Sequence, residues 1–106
     1  MKLGIIIYSN DSETVWNAFR LSSFALKKGD EVEVFLLGKG VESETLDTHK
    51  FNVSAEMKQF IEAGGKIHAC GTCLKLRELE ETEICPVSTL FDLHKIISES
   101  DKILTF

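Results

Sequence analysis

Three apolar runs, each followed by a helical pattern, restrict this chain more than any other feature. Lys2 to Tyr8 is a β-branched apolar run, suited to a strand buried on both faces. Glu31 to Leu37 begins with alternation and ends fully apolar, and Lys66 to Cys70 is a shorter run of the same kind. Strands joined by helical crossovers pair in parallel, because the chain must travel back before it can form the next strand. The order β-α-β-α-β-α-(β)-α-β therefore predicts an α/β fold, a mostly parallel sheet with helices on both faces.

The segments between the runs carry ordinary start and stop signals. Ser9-Asn10-Asp11-Ser12 supplies turn and capping residues. From Glu13 to Lys28, the residues Val15, Ala18, Phe19, Ser22, Ala25 and Leu26 line one helical face, and Gly29 is a natural stop. Trp16 and Phe24 fall off that stripe, at positions suited to a neighbouring element or a second subunit. Gly38-Lys39-Gly40 breaks the second strand, and residues 41 to 53 read as a loop or a short irregular helix. Connections of that length are often functional.

Ser54 is expected to cap a second helix, with Met57, Phe60 and Ile61 inward and Gly64-Gly65 at its end. Pro86 allows only a short or edge strand in its neighbourhood. Thr89-Leu90-Phe91-Asp92 opens a last helix with Leu90, Leu93, Ile96 and Ile97 as its stripe, and Asp101 to Phe106 reads as a terminal strand. Neither a repeat nor a linker divides the sequence, so residues 1–106 are expected to form a single domain.

The net charge of −5 argues against a nucleic-acid binder, which needs a basic face. No apolar run approaches the ~20 residues of a membrane span. The start of the chain lacks the pattern of a signal peptide and reads better as a strand. A cytoplasmic location is expected, with no membrane partner. Three cysteines in that setting do not make a disulfide framework; they are buried, metal-bound or reactive.

Cys70-Gly71-Thr72-Cys73 is the sharpest chemical signal. Cys70 ends the third strand, on the edge of a parallel sheet where ligands bind. A helix starting just after it would aim free N–H groups at the sulfur and favour the nucleophilic thiolate. Cys73 lies one helical turn on, within reach of Cys70. Such a pair suggests thiol redox chemistry, although a thioredoxin would carry it after an early strand and at the head of a long helix. A Cys₃His zinc site from His68, Cys70, Cys73 and Cys85 and a purely structural role for the cysteines are the competing readings.

His68 is a neighbour that can tune Cys70, or simply a covered sheet residue. Lys75 and Arg77 follow the thiol and can stabilise a thiolate or a persulfide anion. Asn10 and Asp11, at the same edge of the sheet, can line the same pocket or serve only the turn. Gly71 and Thr72 complete the candidate binding set. Gly38-Lys39-Gly40 matches no phosphate-binding pattern, and no Ser–His–Asp arrangement can be picked out, so no cofactor and no resident metal are expected.

Four features in order resemble the DsrE/DsrF-like, or YchN-like, family of small sulfur-relay proteins. They are the apolar first strand leading into a helix; the second strand running to Gly40-Val41; Ile67-His68-Ala69-Cys70 before a short helix closing in Leu76-Arg77; and the ending Ser100 to Phe106. Cys70-Gly71-Thr72-Cys73-Leu74 is especially similar to DsrE-like domains of proteins associated with selenium metabolism. The resemblance implies an α/β/α sandwich with a mainly parallel five-stranded sheet. It implies homo-oligomers, trimers or hexamers, that exchange sulfur with donor and acceptor proteins through a persulfide on one cysteine. The matching position is Cys70. Cys73 has no counterpart in many members, and a Cys70–Cys73 disulfide would release the sulfur as sulfide.

Overall fold

The computed structural model describes all residues from Met1 to Phe106. In chain order the elements are β1 (Lys2–Ile7), α1 (Ser12–Lys27), β2 (Glu31–Leu36), a 3-10 helix (Gly38–Thr45), α2 (Val53–Glu62), β3 (Lys66–Cys70), α3 (Gly71–Leu76), β4 (Val87–Ser88), α4 (Leu90–Glu99) and β5 (Lys102–Thr105). The strands form one sheet in the order β4-β3-β2-β1-β5. Every pairing is parallel, so the expected "mainly parallel" sheet is parallel throughout.

The chain steps outward from β1 to β4 at one edge. α4 then carries it back across the sheet, and β5 pairs with the free side of β1. α1 and α2 pack on each other and against β2 and β3, while α4 packs on β1. The central strands read as apolar runs because both faces are covered. Ile5, Ile7, Val34, Phe35 and Leu36 have no solvent exposure.

Capping follows local chemistry. The Asp11 carboxylate accepts the Thr14 N–H at 2.9 Å and caps α1. Thr89 caps α4 by accepting the Phe91 N–H. The cap of α2 is Asn52, not Ser54: Asn52 accepts the Ala55 N–H at 3.2 Å. Both residues are good caps, each worth about 1 kcal/mol. Ser54 is taken instead by Asp47, to which its N–H and hydroxyl donate.

Other expectations shift with tertiary packing. Of residues 41 to 53, expected as a loop or a short irregular helix, the first five belong to the 3-10 helix, which tucks Gly40, Val41 and Ser43 into the protein. Of the α4 stripe, Leu93 and Ile96 are buried, whereas Leu90 and Ile97 are exposed. A ten-residue helix crossing a five-stranded sheet contacts it along only part of that stripe. Trp16 finds an intramolecular partner, with its ring 5.3 Å from that of Phe51 and Arg20 4.5 Å above it. Phe24 remains exposed.

Candidate functional site

The site lies beyond the C-terminal ends of β1, β2 and β3. Cys70 ends β3 with extended backbone angles and is itself the N-cap of α3. Its Sγ accepts two hydrogen bonds from one residue, the Cys73 N–H at 3.4 Å and the Cys73 thiol at 2.8 Å. The sequence offered a helix dipole as the source of activation. α3 has only six residues, and the donors that reach the sulfur both come from Cys73.

Cys73 is held from a third direction. Gly38 turns the chain directly after β2 with φ +55°, in the left-handed region that favours glycine. Its N–H donates to Cys73 Sγ at 3.2 Å. Burial and the bond to Cys70 push the Cys73 thiol up, and the Gly38 N–H and the Arg77 charge only partly oppose this. Cys73 therefore keeps its proton and offers it to Cys70. The two thiols are unequal: Cys73 Sγ donates to Cys70 and itself accepts from Gly38, whereas Cys70 Sγ accepts only from Cys73.

Cys70 is buried, with 5% exposure. It opens to solvent through a groove of about 620 Å³ lined by Gly71, Thr72, Lys75, Ser88 and Leu90 among others. Gly71, Thr72 and Lys75 thus share a cavity with the thiol. Arg77 approaches from the other end of α3. It donates through Nη1 to the Cys73 carbonyl at 3.1 Å and through Nε to Glu42 at 2.8 Å. Glu42 also accepts from Asn10 Nδ2 at 3.3 Å. Asn10 therefore joins the site indirectly, through Glu42.

Two other candidates lie elsewhere. Asp11 turns away to cap α1 and does not join this cluster. His68 contacts Glu33 at 3.1 Å, stacks near Phe35, and lines a separate cavity of about 640 Å³ with Asp92 and Lys95. The Cys₃His zinc arrangement does not form, for no three His, Cys, Asp or Glu side chains converge to hold a metal. Cys85 is buried before β4, where burial and the nearby Glu44 push its thiol up.

Glu42 is the residue that the sequence does not reveal. It sits in a polar stretch without periodicity, and its partners are distant in the chain. Arg77 first, then Asn10, hold its carboxyl below the usual range. The Thr14 N–H and hydroxyl do the same for Asp11. For Asp47, burial opposes ionisation, but the Ser54 hydroxyl and N–H outweigh it. The folded values of these three groups lie below their unfolded ones. Their stabilisation is complete above the unfolded carboxylate range of about pH 4 and is lost as pH falls through the folded values. Urea midpoints should hold from neutral pH to about pH 5 and decline below about pH 4. Midpoints that stayed level into acid would contradict these contacts.

The molecule is thus an all-parallel α/β protein that carries two neighbouring thiols beyond its third strand. The chain belongs to the DsrE/DsrF-like family, whose model matches residues 1–106. An uncharacterized protein of Methanocaldococcus jannaschii is 33% identical, over 100% of both chains. An uncharacterized protein of Methanopyrus kandleri is also 33% identical, over 89% of this chain and 83% of its own. The crystal structure of the YchN protein from E. coli superposes with TM-score 0.84 at 20% identity, covering 100% of both chains. A conserved protein of unknown function from Bacteroides thetaiotaomicron superposes with TM-score 0.81 at 22% identity, covering 99% of this chain and 94% of its own. The YchN likeness bears out the expected α/β fold. No helix is long and apolar enough to cross a membrane.

Proposed function

We propose that this protein is a cytoplasmic sulfur carrier that accepts a sulfur atom on Cys70 as a persulfide and passes it to an acceptor thiol. The observation that carries this reading is the double donation from Cys73 to Cys70 Sγ, at the head of an open groove. Two donors thus converge on the one sulfur of the pair that lines the groove. Membership in a family linked to sulfur relay supports the same chemistry.

In the first step the Cys70 thiolate attacks the outer sulfur of a donor persulfide. The bond between the two donor sulfurs breaks, and the donor leaves as a thiolate. In the second step an acceptor thiolate attacks the outer sulfur on Cys70, and Cys70 leaves as the thiolate. Neither step changes the total oxidation state, and neither needs a cofactor. Access and thiolate character are the main demands. Lys75, which lines the groove, is the cation that would receive the anionic outer sulfur. Arg77 has a different role, since Glu42 and the Cys73 carbonyl already engage it.

Donor and acceptor proteins would dock over the groove, where Leu90 and Val87 are exposed beside Lys75. Leu76, Phe91 and Ile97 are further exposed apolar residues that support a homo-oligomer, for which the family resemblance implies a trimer or hexamer. A second reading, thiol–disulfide exchange by the Cys70–Cys73 pair, is favoured by the 2.8 Å separation of the two sulfurs.

Intact mass after anaerobic incubation with a cysteine persulfide donor tests the proposal. Cys73→Ser should gain one sulfur, and Cys70→Ser should gain none. Loss of two hydrogens from the wild type alone, with no sulfur on any variant, would replace the carrier by the exchange reading. Gain of sulfur by Cys70→Ser would move the site to another thiol.

A further inference from the structure

Cys73 is more than a donor to Cys70. Its sulfur lies 2.8 Å from Cys70 Sγ, so it is already beside the inner sulfur of any persulfide formed there. We propose that Cys73 attacks that inner sulfur, so that the protein releases its loaded sulfur as hydrosulfide whenever no acceptor thiol takes it first. This inference rests on the persulfide reading of Cys70 and adds a second activity to it, that of a persulfide reductase.

The step balances without an external reagent. The Cys73 thiol gives up its proton, and its sulfur bonds to Cys70 Sγ. The bond from Cys70 Sγ to the outer sulfur breaks, and the electron pair leaves with the outer sulfur. That sulfur carries the proton away as HS⁻. The outer sulfur is reduced to sulfide while two cysteines are oxidised to a Cys70–Cys73 disulfide. Turnover then requires a dithiol reductant to reopen the disulfide.

The geometry also explains why the resting pair does not make Cys73 the nucleophile. Cys70 Sγ accepts the Cys73 proton, and with burial this holds the Cys73 thiol protonated. Once Cys70 carries a persulfide, the negative charge moves to the outer sulfur, and the inner one becomes a weak acceptor. The Gly38 N–H at 3.2 Å still donates to Cys73 Sγ, and the charge of Arg77 still favours its thiolate. Loading Cys70 therefore weakens the contact that keeps Cys73 protonated and leaves in place those that favour its ionisation. The position of Gly38, fixed by the turn after β2, makes this a property of the fold and not of the Cys-x-x-Cys spacing alone.

Anaerobic loading with sodium polysulfide, rapid desalting, and then timed intact mass with sulfide trapping tests the inference. Wild type should lose its added sulfur, gain the two-hydrogen deficit of a disulfide, and release sulfide in step. Cys73→Ser keeps a hydroxyl able to accept from Gly38 and donate to Cys70. It should hold the sulfur on the order of tenfold longer or more, with no disulfide. Cys73→Ala controls for that hydroxyl and should also retain the sulfur. Equal lifetimes in wild type and both variants would overturn the inference and leave the carrier reading standing. If no sulfur is gained by Cys73→Ser, by Cys73→Ala or by wild type, and wild type releases no sulfide, both readings fall.

Discussion

Replacing Gly40 with alanine should destabilise the protein by about 3 kcal/mol or more, the upper end of what overpacking usually costs. A Cβ at this position would lie 2.0 Å from the Ile7 carbonyl oxygen and 2.8 Å from its carbon. The obstacle is backbone, so no side-chain rotation relieves it. Ile7 cannot retreat: it is fully buried at the end of β1, and its carbonyl accepts the Leu37 N–H at 2.9 Å. The 3-10 helix must therefore move away from the sheet. It carries Gly38, which donates to Cys73, and Glu42, which holds Arg77. A folded Gly40→Ala protein should thus show faster alkylation of Cys73 as well as a lower urea midpoint. A midpoint within about 0.5 kcal/mol of wild type, the range of a neutral surface change, would show that the close approach of residue 40 to β1 is wrong.

Truncating Phe60 to alanine should cost about 3–5 kcal/mol. Phe60 has no exposure, and its ring meets that of Phe19 edge-on at 5.8 Å, which ties α2 to α1. Removing it leaves a cavity between two helices anchored at both ends by the strands they join, so the gap closes only partly. A domain of this size has a total stability of roughly 5–15 kcal/mol. The variant should unfold at a clearly lower urea concentration. A loss below about 1 kcal/mol would mean that α1 and α2 do not share this contact.

Much of the fold was legible because it rests on local chemistry. The helical stripe of Val15, Ala18, Phe19, Ser22 and Ala25 is buried as its spacing implies. Thr89 caps α4, and Pro86 precedes a two-residue edge strand. Where the structure departs from the local pattern, equivalent signals are decided by contacts outside that pattern. Asn52 and Ser54 are both able caps, and Asp47 decides between them by binding Ser54. Leu90 and Ile97 match the stripe of α4, but the width of sheet that α4 covers leaves them exposed.

The candidate site divides in the same way. Local pattern alone shows that Cys70 ends a strand and that Cys73 stands one turn beyond it, because a strand period and a helical turn are properties of neighbouring residues. It also placed Lys75, Gly71 and Thr72 beside the thiol. What no local pattern shows is that Cys73 Sγ also accepts from the Gly38 N–H, 35 residues away. Only the tertiary structure brought Glu42 between Asn10 and Arg77, and sent His68 to Glu33 in another cavity. Parallel pairing brings the C-terminal ends of successive strands to one edge. Residues far apart in the chain meet there, and no spacing along the sequence records their meeting.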